Sequence, residues 1–147
     1  DAGAEPPLFR PVDVPLYPAP QAALATGWAL LRVAVRRGTQ PAAGAVLSLH
    51  EGDTSTPLLG RGQSDERGEA VVAVAGLPHF RRNPAAPPPF LREHALQLHI
   101  VWDPAAGPDD GPPDPDLLAT QSGGGLVNTS LAVNLASGES RTLALDL

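Results

Sequence analysis

The chain has no cysteine and no methionine, and all ten of its basic residues are arginine. Without cysteine, a disulfide framework, a zinc ribbon, an iron–sulfur cluster and a thiol nucleophile are all excluded. Aromatic residues are scarce as well, with three Phe, two Trp and one Tyr, so any core this chain builds is aliphatic. The ten Arg stand against sixteen Asp and Glu for a net charge of −6, a balance that argues against a phosphate backbone or an anionic membrane as the main partner. No apolar run reaches the ~18 residues of a membrane span, and no basic start followed by an apolar stretch reads as a signal peptide. The sequence opens on Asp1 rather than Met, as a processed or excised piece would. What is present suits one compact domain: 147 residues, 42% of them hydrophobic, at a size where folding buries about 68–70% of the unfolded surface.

Proline divides the chain. Eighteen are present: six in residues 1–20, five in 78–89 and five in 103–116, with only Pro41 and Pro57 elsewhere. Proline has no N–H for a ladder or a helix interior, so these clusters mark extended or looped segments and regular structure lies between them. Residues 1–24 read as a proline-rich extended arm, and residues 25–147 as a single domain.

Between the clusters the apolar period is two. Leu31, Val33 and Val35 form one inward set, followed by Ala45, Leu47 and Leu49, then Ala70, Val72 and Val74, then Leu96, Leu98 and Ile100. The C-terminal stretch reads as two strands, with Leu131, Val133 and Leu135 inward, a turn at Ala136-Ser137-Gly138, and Leu143, Leu145 and Leu147 inward. PLLGRGQS supplies an edge-like seventh strand. The one helical candidate is PDPDLLATQS, where Asp114 or Asp116 is placed to cap a single turn. About seven short alternating strands with Gly-rich turns predict an all-β fold, an antiparallel Greek-key β-sandwich with a proline-rich N-terminal arm and two long loops.

The order of these pieces carries a resemblance. Pro41 precedes Gly44-Ala45-Val46-Leu47-Ser48-Leu49, and Ser64-Asp65-Glu66-Arg67-Gly68 leads into the next strand, which ends at Leu77-Pro78. This pattern resembles the carboxypeptidase regulatory-like, or transthyretin-like, β-sandwich domains, and Leu135 to Leu143 looks like that family's closing hairpin. Gly44 and Gly68 sit where such turns ask for positive φ, and Asp65 is placed for an Asx-turn. Two proline-rich insertions depart from the pattern, His79 to Phe90 and Asp103 to Asp116. With the arm, they resemble accessory domains of contractile phage-tail-like injection machines. That resemblance implies a protein partner within a larger particle, and assembly in the cytoplasm rather than secretion.

Candidate chemistry is thin. His94 and His99 differ by five residues and point to opposite faces of one strand, so they do not chelate together. His50 has outward parity, and its neighbours depend on pairings that spacing does not give. Ser64-Asp65 lacks a nucleophile elbow and reads as turn capping. Sandwiches of related fold include hydroxyisourate hydrolases and intradiol dioxygenases, but the latter need paired Tyr and His iron ligands and the only tyrosine, Tyr17, lies in the arm. Asp103, Asp109, Asp110, Asp114 and Asp116 lack EF-hand spacing and read as a solvated acidic loop, with Ca²⁺ the alternative. No cofactor is implied.

The residues that point to function are those suited to protein contact. Leu8, Phe9, Val12, Val14, Leu16 and Tyr17 lie on a proline-stiffened arm, and Phe80, Arg81, Arg82 and Phe90 on a loop, residue types that bury on partners. The expectation is a non-enzymatic structural and protein-interaction module, an accessory part of a larger assembly. The alternatives are a secreted or surface adhesion module for carbohydrate, for which few aromatics are available, and a small hydrolase.

Overall fold

The computed structural model describes residues 16–21, 23, 25–77, 93–106, 113–120 and 125–147. Among these residues, eight strands and one helical turn follow in order: β1 (Ala29–Arg37), β2 (Gln40–Pro41), β3 (Val46–His50), β4 (Leu58–Gln63), β5 (Glu69–Val74), β6 (Glu93–Trp102), α1 (Pro115–Thr120), β7 (Val127–Ala136) and β8 (Ser140–Asp146). The fold is an all-β sandwich. In one sheet β1 is central, flanked by β5 and the two-residue β2 on one side and by β8 on the other; the second sheet runs β4-β3-β6-β7. The eighth strand, beyond the seven predicted from sequence, is β2, too short to show a period.

The period-two pattern determines which side chains face inward. Leu31, Val33, Val35, Leu47, Leu49, Val72, Val74, Leu98, Ile100 and Leu135 are buried between the sheets, and Trp102 joins them with its indole N–H donating to Ala43 O at 3.0 Å. Leu143, Leu145 and Leu147 pack against this core only partly buried, because β8 is an edge strand.

One expectation fails. The last two strands do not form a closing hairpin, and the sandwich is not antiparallel throughout. β7 pairs β6 antiparallel, whereas β8 pairs β1 in parallel, Leu30 opposite Ser140 through Arg36 opposite Asp146. The turn at Ala136-Ser137-Gly138 carries the chain from one sheet to the other, so the strands it joins belong to different layers. Ser137 Oγ pins that turn by donating to Gly27 O at 2.8 Å, and Glu139 N donates to Ala136 O at 3.1 Å.

The outer face of the second sheet is covered in part. Asp114 caps α1, its Oδ1 accepting from Asp116 N at 2.9 Å, and Pro115 fills the first helical position. Arg61 of β4 pairs with Asp116 at 2.8 Å, and Gln63 Nε2 donates to Pro113 O at 2.8 Å. The turn thus lies across β3, β4 and β6, which explains why Val46, on the outward parity of β3, is nevertheless buried.

Candidate interaction surface

Of the arm residues chosen for interaction, Leu16 and Tyr17 fall within the described structure. Leu16 is 89% exposed, while Tyr17, Pro18 and Pro20 are half-buried. Pro20 and Gln21 border a hollow of 340 Å³ whose floor includes Arg32 and Ala34 of β1, Glu69 of β5 and Thr142 of β8. The end of the arm therefore rests on the outer face of the first sheet, and at Leu16 a large apolar side chain stands in solvent. Trp28, just before β1, adds a second, 41% exposed. Leu8, Phe9, Val12, Val14, Phe80, Arg81, Arg82 and Phe90 lie outside the described residues, as do Asp109 and Asp110.

The structure brings together two histidines that sequence spacing left apart. The β3–β6 register sets Ser48 opposite His99 and His50 opposite Gln97, making His50 and His99 diagonal neighbours on the outer face. Their rings meet edge to face, centroids 5.4 Å apart. His50 Nδ1 donates to Thr56 O at 2.8 Å and His99 Nε2 donates to Gly52 O at 3.2 Å, since a carbonyl only accepts. Both rings thus hold the loop between β3 and β4, and His50, the last residue of β3, is buried. The loop also holds itself: Ser55 Oγ and Ser55 N both donate to Asp53 Oδ1, and Thr56 Oγ1 donates to Asp53 O at 2.7 Å. The Ser55 hydroxyl and N–H hold the Asp53 carboxyl below its ordinary value, and the neighbouring His99 and His50 act in the same direction. The signal for this cluster was the shared outward parity of His50 and His99; the strand order that joins them is not encoded locally.

Ser64 and Asp65 do what turn chemistry predicts. Ser64 Oγ is buried, donating to Ala42 O at 2.6 Å and accepting from Ala45 N at 2.8 Å, so its hydroxyl is fully committed to backbone. Asp65 Oδ1 accepts from Arg67 N and Glu69 N, each at 2.9 Å. Burial raises the Asp65 carboxyl, but the bonds from Glu69 and Arg67, together with the Arg67 guanidinium, outweigh it and hold the carboxyl below its ordinary value. Gly68 closes this turn at φ +76°, and an added Cβ would strike Val35 O.

The acidic loop disperses its carboxylates. Asp103 Oδ1 accepts from Ala105 N at 2.9 Å, Asp114 caps α1 and Asp116 pairs with Arg61. Among the described residues no three His, Asp or Glu converge as metal ligands, and no helix is long and apolar enough to cross a membrane.

No protein-family model matches the chain, and no curated protein matches its sequence. Among solved structures, a 9R-lipoxygenase from Cyanothece PCC8801 is similar over 86% of this chain and 18% of its own, with 15% identity and a TM-score of 0.34, too slight a likeness to bear on fold or activity.

Proposed function

We propose that this chain is a non-enzymatic interaction module, a transthyretin-like or carboxypeptidase regulatory-like β-sandwich that acts as an accessory part of a larger assembly. A contractile phage-tail-like injection particle is the assembly whose accessory domains its insertions and arm resemble. The observation that carries this reading is the arm's end: Leu16 is 89% exposed while Pro20, four residues on, borders a hollow on the outer face of the first sheet. A large apolar side chain in solvent on a proline-stiffened backbone suits docking, because a restricted backbone loses little entropy on binding.

Affinity capture from the native source, with the full chain and with a chain lacking residues 1–16, tests the proposal. Recovery of sheath, tail or spike subunits by the full chain alone supports it. Equal recovery by both chains, or glycan binding in place of protein, contradicts it.

A further inference from the structure

Among the described residues, one edge of the sandwich, that of β7, is left open over part of its length. Main-chain N–H and C=O groups point alternately to the two sides of a strand. Ala45 O accepts from Ser64 N at 2.9 Å on the β4 side of β3, so Val46, Ser48 and His50 turn toward β6. Through the register Val46–Val101 and Ser48–His99, the odd residues of β6 face β3 and its even residues face β7. The bonded pairs of the next ladder are therefore Leu96–Val133, Leu98–Leu131 and Ile100–Thr129, and the even residues of β7 face away from the sheet. Arg141 Nη1 donates to Asn134 O, and Ala136 N donates to Glu139 Oε2 at 2.8 Å. Asn128, Ser130 and Ala132 remain, all exposed, with no hydrogen bond from the described residues reaching their outward N–H and C=O groups.

The other edges are managed. β4 carries Arg61 and a register shift opposite Leu49/His50, and it is pressed against β5, whose own edge it covers; β2 is two residues long; β8 bears Arg141 and Asp146. β7 has none of these devices. VNTSLAVNLA contains no charge and no proline, and its register with β6 is unbroken from Val127 to Ala136. Such an edge is a template for another strand.

We propose that the β7 edge pairs with β7 of a second copy of this chain, antiparallel about a two-fold axis through Ser130. The open groups are symmetric about that residue, so Ser130 faces its own counterpart and Asn128 faces Ala132 of the partner subunit, each pair exchanging both main-chain bonds. The strand's lack of charge is compatible with self-pairing. The chain carries −6 overall, yet this strand brought against itself opposes no like charges. The pairing also extends cover over Leu131, which is half-buried on the inner side of the edge. A contact made by one strand pair falls below the ~1,200 Å² of standard interfaces, so the dimer is concentration-dependent. The inference is independent of the arm.

Sedimentation velocity of the full chain over about a hundredfold range of concentration tests it. The wild type shifts from monomer toward dimer. Ser130→Lys, which sets two like charges against each other, lowers the association constant by about tenfold or more and leaves the melting temperature unchanged. Because the chain has no cysteine, Ser130→Cys provides a second readout: directly opposed residues of a bonded pair have Cα atoms about 5.5 Å apart, within disulfide range. Oxidised Ser130→Cys forms a covalent dimer, and Thr54→Cys, exposed on the loop before β4, does not. A wild type that stays monomeric at every concentration, including one that binds an extended foreign peptide instead, overturns the proposal. So do a dimer indifferent to Ser130→Lys and equal cross-linking of the two cysteine variants.

Discussion

Ser64 and Asp65 show how much of the turn between β4 and β5 rests on two short side chains. Ser64→Ala leaves Ala42 O and Ala45 N without their buried hydroxyl partner, a loss of about 1–3 kcal/mol measurable as a lowered urea midpoint with an unchanged slope. Asp65 makes a pH-dependent contribution. Its folded carboxyl lies below the ordinary 3.8, so its stabilisation is fully present above that value and is lost as pH falls through the folded value. Asp65→Asn keeps an acceptor for Arg67 N and Glu69 N but loses the charge. The carboxyl is 31% exposed and screened, so the variant is less stable at neutral pH by about 0.5 kcal/mol. Acid titration of stability checks the sign: the gap between the two proteins closes as pH drops below 3.8.

The seam between β4 and β5 depends on what is missing from β4. Gly60 and Gly62 let the two sheets approach at this edge: a Cβ on Gly60 would lie 2.6 Å from Ala73 O, and one on Gly62 would collide with Val71 O. Backbone oxygens have no rotamer by which to escape, so Gly62→Ala forces the strands apart and costs about 1–3 kcal/mol, read as a fall in melting temperature. Gly38→Ala bounds the effect of backbone conformation alone, since its φ is +60° and an added Cβ meets nothing within 4 Å. At this scale the sequence is informative about strands and nearly silent about their partners. Alternation marked β1, β3, β5, β6 and β7 and their inward residues, and Asp114 with Pro115 marked α1, because each of these signals is local. The parallel β1–β8 pair and the meeting of His50 with His99 follow from strand order, which no run of neighbouring residues specifies. Gly60 and Gly62 read only as a weak strand, although their missing side chains are what the packing requires.

For the whole molecule, an aliphatic sandwich with no cysteine needs no staple, and its surface is where it differs from a plain core. The outer face of one sheet is closed in part by α1 and by a loop held on two histidines; the outer face of the other receives the end of the arm. If the arm's function is docking, residues 1–16 contribute to recognition and little to folding, because the half-buried seats at Tyr17, Pro18 and Pro20 remain when they are removed. The most direct measurement is therefore the thermal melting of the chain lacking residues 1–16 beside the full chain, on the samples used for capture. The account predicts coincident melting curves with partner binding lost. A truncated chain that melts markedly lower would place the arm in the fold itself and contradict its role as a docking element.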